Sequence, residues 1–294
     1  VTVIGKSAFI SCRALANVTI GKGLSELGSD AFRWCKIESF SVDSENGYFS
    51  SDKYGVFFNK DKTLLIQYPA KNSRINYIVP DTVAEFASEA FYFAENLKNV
   101  TLPDGIKTIS NRLFYYSGIE GIIIPEGVET IGQEAFASCY YLRNVQLPES
   151  LTSIEKNAFH SCNKISEIKI LNSDCEIYDD EYTIYSKTII SAYSGSTAEA
   201  YAIKYNRQFE EIPRTGITEN LAYTIENGSV IITGFDKIPV GSIFIPDEIE
   251  GLPVTGINPE LFAGNVSVLT VVLPDTVTEI KADSFRGCTS LKKV

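Results

Sequence analysis

Hydrophobic positions along the chain recur at a fixed spacing. The pair Ala-Phe appears as Ala8-Phe9, Ala31-Phe32, Ala90-Phe91, Ala135-Phe136 and Ala158-Phe159, with Leu113-Phe114, Leu261-Phe262 and Ser284-Phe285 as variants. Successive Phe residues of this set lie 23, 59, 23, 22, 23, 103 and 23 positions apart. Pro80, Pro103, Pro125, Pro148 and Pro274 each sit eleven residues before a Phe, and Cys12, Cys35, Cys139, Cys162 and Cys288 sit three after one. Three coupled periods define a repeat protein. Residues 140–162, YYLRNVQLPESLTSIEKNAFHSC, form one complete unit whose apolar positions are Leu142, Val145, Leu147, Leu151, Ile154, Phe159 and Cys162. Leu-x-x-Val-x-Leu ends in alternation, which predicts a short strand. Pro148, lacking a backbone donor, stops it. The three-residue spacings Leu151 to Ile154 and Phe159 to Cys162 predict tight helical turns. One such coil cannot bury its apolar face alone, so coils must stack with their strands in a parallel sheet. At ~4.8 Å per strand, six consecutive coils would span roughly 25–30 Å.

This pattern resembles the bacterial leucine-rich repeats of the BspA-like family, whose units read LxxVxLPxxVxxIGxxAFxxC. Residues 1–39, 78–170 and 240–294 carry it most closely, through VTLPDGIKTI, IIIPEGVETIGQEAFASC and VVLPDTVTEIKADSFRGC. Gly21 departs from the Pro slot, and Ala94, Ser117 and Asn265 from the Cys slot, without threatening the fold. The expected fold is an α/β repeat solenoid: a leucine-rich-repeat right-handed superhelix with a parallel β-sheet on one side and short mixed arcs on the other. The resemblance also implies a bacterial surface protein, and some members of the family are adhesins for host matrix proteins. Its motif encodes core positions, so no partner-contacting residue carries over.

The period breaks twice. Phe32 and Phe91 are 59 apart, 36 residues more than one repeat. Within that stretch YGVFFNKDKTLLIQYP, residues 54–69, has two apolar runs around Asn59-Lys60-Asp61-Lys62 and predicts a β-hairpin. It reads as an insertion over about 43–79 that projects from the solenoid, the competing reading being a hairpin packed on its own coil. The second break covers about 172–212. Ser196-Thr197-Ala198-Glu199 has the form of a capping box. A helix from there to about Asn206 would place Ala198, Tyr201, Ala202 and Tyr205 on one face, covering the apolar end of the array. Residues 1–212 are therefore expected to form a first array with a C-terminal cap, and Pro213-Arg214-Thr215-Gly216 a joint. Residues 213–294 are expected to begin a second, truncated array, opened by a hairpin of YTIEN and SVIITGF about Asn227-Gly228. The missing Met and the initial Val1 suggest a piece of a longer protein, with no signal peptide before the repeats.

Composition narrows the function. With 26 Lys+Arg against 37 Asp+Glu the net charge is -11, which argues against nucleic acid. No apolar run approaches the ~20 residues of a membrane helix. His160, the only His, lies beside Ser161 and Cys162, but its slot elsewhere holds Ile10, Arg33, Tyr92, Tyr115 and Ala137, as an exposed turn would. No C-x-x-C pair supports zinc. Stacked thiols would keep their Cβ atoms about 4.8 Å apart, too far for a disulfide, so the slot is expected to hold a ladder of buried thiols. Cys175 lies outside it as a candidate free thiol. Gly5-Lys6-Ser7 falls in the same turn slot as Gly28-Ser29-Asp30 and Gly132-Gln133-Glu134, not in a phosphate loop. Asp179-Asp180-Glu181 and Glu210-Glu211 read as solvated loop charge. No catalytic, cofactor or metal site is expected.

One surface feature breaks the slot pattern. Phe91-Tyr92-Phe93 and Phe114-Tyr115-Tyr116 occupy equivalent slots on neighbouring coils, with Tyr140 and Tyr141 nearby and Trp34 in the slot of Phe93 and Tyr116. Ser11, Ser138 and Ser161 hold that slot elsewhere. Tyr92, Phe93, Tyr115, Tyr116, Tyr140 and Tyr141 are the candidate partner-binding patch. The competing account is that a ring turns inward over the volume vacated at Ala94 and Ser117. The expected function is a non-enzymatic, cell-surface or secreted interaction scaffold for a protein or glycan partner, acting as a monomer. A passive spacer presenting another domain is the alternative.

Overall fold

The structure, a computed structural model, describes residues 1–212, 214–218 and 220–294. They form two compact units, Val1–Glu210 and Glu211–Val294.

The first unit is a parallel β-solenoid. Each coil supplies one strand to a first ladder, in which Asn76–Ile78, Asn99–Thr101, Gly121–Ile123 and Asn144–Gln146 pair in parallel. Asn17–Ile20 pairs with Ser39–Val42 in the same way, and Glu167–Ile170 with Ile189–Ala192. Alternation along these strands buries Val100 and Ile122 and leaves Asn99, Thr101 and Ile123 outside. Pro80, Pro103, Pro125 and Pro148 then end the strands, because proline cannot donate to the next coil.

A second ladder replaces the helical turn expected around Leu151 and Ile154. Thr108–Ile109, Thr130–Ile131, Ser153–Ile154 and Glu176–Ile177 are two-residue parallel strands, with Ile131 opposite Ile154 and Ile154 opposite Ile177. Leu151 donates back to Pro148 in a single turn (3.3 Å), after which the chain is extended. Stacked β-branched side chains favour that extension, and the neighbouring coils satisfy its backbone groups.

Each coil closes through an arc carrying Ala-Phe, and the arcs stack by hydrogen bonding as well. Arg112, Phe114 and Tyr116 donate to Gln133, Ala135 and Ala137 of the next arc at 2.9, 2.8 and 3.1 Å. The rings of Tyr68, Phe91, Phe114, Phe136 and Phe159 form one continuous buried stack with centroids 5.2, 5.0, 5.4 and 5.2 Å apart. Phe9 stacks on Phe32 in a separate run, which continues into Phe40 and Phe57.

The hairpin of the long gap is built into the stack and does not project from it. Phe57–Asn59 pairs antiparallel with Phe49–Ser51 and with Leu64–Gln67, and Leu64–Gln67 pairs in parallel with Glu85–Phe86 of the following coil. Val56, Phe57, Phe58 and Leu65 are fully buried, so the insertion supplies core instead of decorating it.

The capping helix runs Thr197–Lys204, with Tyr205 as C-cap, two residues shorter than expected. Ser196 Oγ accepts from the Glu199 N–H (3.2 Å), and Glu199 Oε2 accepts from the Gly195 N–H (2.6 Å) where a standard box would use Ser196. The Ser196 N–H is already taken by Tyr193 O, at 3.3 Å. Ala198, Tyr201 and Ala202 are buried beneath the helix.

In the second unit Leu221–Glu226 and Ser229–Phe235 form the antiparallel hairpin about Asn227-Gly228, both with positive φ. Arg214–Thr218, three residues of which were expected as a joint, is instead a strand antiparallel to Leu221–Glu226, while Pro213 lies outside the described residues. Repeat geometry then resumes: Gly241–Phe244 pairs in parallel with Val268–Val272, and Phe262 stacks on Phe285 at 5.0 Å.

Candidate interaction surface

The arcs that carry the stacked Phe residues turn twice through the left-handed region. Two residues before Phe the φ of Glu89, Arg112, Glu134 and Asn157 is +61, +55, +54 and +58°. Two residues after Phe it is +55° at Phe93, +58° at Tyr116, +61° at Ser138 and +59° at Ser161. Gly264 and Gly287 take the latter slot in the second unit. Any side chain in this conformation costs roughly 1–2 kcal/mol through its Cβ, and Trp34, Phe93 and Tyr116 bear it as Ser138 and Ser161 do.

All six aromatic residues of the candidate patch lie together. Tyr92 stacks near Tyr115 (6.1 Å, 24°) and Phe93 beside Tyr116 (6.4 Å). Tyr116 meets Tyr115 edge to face at 4.8 Å and Tyr140 at 5.8 Å. Tyr141 carries Lys98 Nζ 4.7 Å from its ring centre. Tyr116, Tyr140 and Tyr141 are exposed, and Tyr92, Phe93 and Tyr115 are half-buried. Phe93, Tyr116, Tyr140 and Tyr141 surround a shallow cavity of about 320 Å³ whose base includes Ser117 and Gly118. Gly118 is required there, since a Cβ would lie 2.0 Å from Glu95 O. Burial raises the Tyr92 and Tyr115 hydroxyls above the ordinary tyrosine value.

Cations flank these rings. Arg33 lies 4.6 Å from the Trp34 centroid, and Lys36 and Lys71 lie 5.5 and 5.9 Å from that of Phe93. Beneath runs an ion ladder unremarked in the sequence reading: Arg33 to Glu89, Glu89 to Arg112 (3.4 Å) and Arg112 to Glu134 (2.7 Å). Burial pushes the Glu134 carboxyl up, but its bonds to Arg112 outweigh this and lower it. The signal was present: Glu89, Arg112 and Glu134 alternate in sign through one slot of three successive coils. A second missed feature is the open groove of about 1090 Å³ over the first ladder, where Asn99, Thr101, Asn144, Gln146, Glu167 and Lys169 face outward.

The chemistry-bearing residues are engaged elsewhere. His160 is half-buried and packs edge-on against Tyr182 at 5.6 Å. Burial drives the Cys162 thiol far above its usual range, which removes the thiolate a nucleophile requires. The Cys slot is a thiol ladder only in part: Cys35, Cys139 and Cys162 are buried, Cys288 is half-buried and Cys12, near the solenoid's first coil, is exposed. All six cysteines are free. Cys35, Cys139, Cys162 and Cys288 each direct Sγ at the Phe carbonyl one coil back (2.9–3.0 Å). Cys175 is buried outside that slot. Asp179 accepts from Lys204 and Tyr205, so this loop charge anchors the cap. Among the described residues no three His, Cys, Asp or Glu groups converge as a metal site, and no helix is long and apolar enough to cross a membrane.

A family model for the BspA type leucine rich repeat region matches residues 1–77, 66–189 and 254–294, in six copies. The chain belongs to that family. It is similar in structure to the pneumococcal vaccine antigen PcpA (TM-score 0.57, 21% identity), over 72% of this chain and 60% of that one. The chain thus matches less than two thirds of PcpA's structure. A leucine-rich repeat protein from Eubacterium ventriosum aligns at 15% identity and TM-score 0.45 (97% of this chain, 80% of that one), and a leucine rich cell surface protein from Faecalibacterium prausnitzii at 18% and 0.37 (100% and 82%). No curated protein matches.

Proposed function

We propose that this chain is a non-enzymatic interaction scaffold, displayed on a bacterial surface or secreted, and that it engages a protein or glycan partner through Tyr92, Phe93, Tyr115, Tyr116, Tyr140 and Tyr141. The observation that carries the reading is the backbone beneath the rings. Phe93 and Tyr116 occupy a left-handed slot that Ser138 and Ser161 fill in the adjoining coils. The solenoid therefore closes without aromatic residues there, so the fold itself does not require the rings. Exposed, mutually packed rings flanked by Lys98, Lys36 and Lys71 have the composition of a binding hot spot. Within this proposal the coils wind as a right-handed superhelix, residues 1–212 and 213–294 belong to successive arrays, and the chain acts as a monomer. An adhesin for host matrix proteins is the specific form favoured by the family resemblance.

The test is a binding screen against immobilised matrix proteins and a glycan array, run beside the Tyr92→Ala, Tyr115→Ala, Tyr116→Ala triple variant with its fold checked by melting. Loss of binding in the folded variant supports the reading. Equal binding by both proteins moves the site elsewhere, and silence from both favours a passive spacer.

A further inference from the structure

The aromatic rings carry positive charge around them on a chain whose net charge is -11. Arg33 lies over Trp34, Lys36 and Lys71 over Phe93, and Lys98 over Tyr141. Burial raises the Tyr92 hydroxyl, and Arg13 is near enough to pull it back. Three of these five cations are neutralised locally: Arg33 pairs with Glu89, Lys71 with Glu95 and Lys98 with Glu120. Arg13 and Lys36 are exposed and have no carboxylate partner among the described residues.

Rings and cations form one strip across successive coils. Arg13 and Lys36 stand four residues after Phe9 and Phe32, Lys71 three after Tyr68 and Lys98 seven after Phe91, while Trp34, Phe93 and Tyr116 share the slot two after Phe. At ~4.8 Å per coil the six coils from Phe9 to Phe136 give the strip a length of roughly 25 Å. Little backbone is on offer along it. Phe91 and Phe93 donate to Leu113 and Tyr115 at 2.9 and 3.0 Å, and Phe114 and Tyr116 to Ala135 and Ala137 at 2.8 and 3.1 Å, so these groups are spent between coils. A polypeptide laid across the rings would find no ladder to join and would cover its own N–H groups without acceptors. What the strip does present is ring face, phenol, ammonium and guanidinium, which are apolar faces and hydrogen-bond donors.

We propose that this strip binds a linear glycan whose sugars carry carboxylates: sugar faces rest on Trp34, Phe93 and Tyr116, and the carboxylates pair with Arg13 and Lys36. The proposal rests on the interaction-scaffold reading and names the partner class within it. A sugar ring sets its C–H face against the negative face of an aromatic ring and keeps its outer hydroxyls in water, so it needs no acceptors from the surface. Its carboxylates accept the donors that the strip leaves unpaired. At the far end Lys98 is held by Gly118 O (3.3 Å) and Glu120 (3.4 Å) beside the cavity that Tyr140 and Tyr141 border, and its ammonium keeps a third donor for the ligand.

The probes are hyaluronan and oligogalacturonate decasaccharides, with a carboxylate on alternate sugars and on every sugar. Trp34, the sole tryptophan, reports from within the strip by fluorescence. At least one probe should give a saturable change, weakened about 10-fold or more by methyl esterification of its carboxylates and by the Arg13→Gln, Lys36→Gln double variant. Both of those side chains are exposed and hold no ion pair, so the melt of the variant should match that of the parent. No titration by either probe, equal titration by the methyl esters, or tighter binding of a decaglutamate peptide overturns the proposal. A matrix protein captured through the aromatic residues with no glycan titration would overturn it while leaving the aromatic patch standing, which separates the two failures.

Discussion

The arcs closed by Cys139 and Cys162 and those closed by Ala94 and Ser117 share one backbone and carry different surfaces. In the first pair Sγ points at the Phe carbonyl one coil back, 3.0 Å away, and serine holds the left-handed slot. In the second pair the closing residue is small and the left-handed slot holds Phe93, half-buried, or Tyr116, exposed. Fold and surface are thus encoded in different positions of the same seven-residue stretch. The Phe ring and the closing residue face the core, and the residue two after Phe is free to vary at a cost in strain.

The comparison breaks most severely at the core. Ile154 is fully buried between Ile131 and Ile177, and Ile154→Asp would bury a charge with no partner. The expected loss exceeds ~4 kcal/mol, and coils on both sides should unfold together in a thermal melt, because stacked repeats share their interfaces. An unchanged melt would refute the register. Phe114→Ala removes the middle of the ring stack and should cost about 3–5 kcal/mol. By contrast Tyr116→Gly, two residues on, should cost no more than ~1 kcal/mol, since relief of the left-handed strain offsets the lost ring contacts. Chemical denaturation of these two variants measures the difference; similar losses would mean that Tyr116 is a core residue.

The thiols sharpen the comparison through pH. Burial raises the Cys139 thiol from 9.0 to about 12, so the folded state keeps its proton where the unfolded chain releases it. That contribution is complete below about pH 9 and is lost as pH rises from there toward 12. Stability should therefore fall across this alkaline window, and Cys139→Ala should flatten the slope while costing about 1–2 kcal/mol at neutral pH. In the native protein a thiol reagent at pH 8 should label exposed Cys12 first and leave Cys139 and Cys162 protected. Equal labelling would contradict the burial.

How much of this was readable beforehand follows from where the information sits. Side chains that recur, such as Phe114 or Pro125, mark the coils at once, and so do Ser196 and Asn227-Gly228, whose local chemistry fixes a cap and a turn. The second ladder at Ser153–Ile154 was not readable, because its bonds are made by backbone groups that any residue carries. The six aromatic residues could be grouped by slot, but their distances depend on how the coils stack.

Tyr68 shows the same limit at the smallest scale. It lies 23 residues before Phe91, stacks on it at 5.2 Å and donates its N–H to Ala90, so it is the Phe-slot residue of the interrupted coil. Without a preceding Ala, it escapes the motif. Its ring is core, but its hydroxyl is buried with no hydrogen-bond partner, and burial raises that group to about 12. A buried hydroxyl that has given up water without a replacement is destabilising. Tyr68→Phe restores the residue found in the neighbouring coils and should leave stability unchanged or raise it by up to ~1 kcal/mol. A loss larger than that would show that the hydroxyl is satisfied in solution, and the interrupted coil would then differ from its neighbours in its core as well as in its routing.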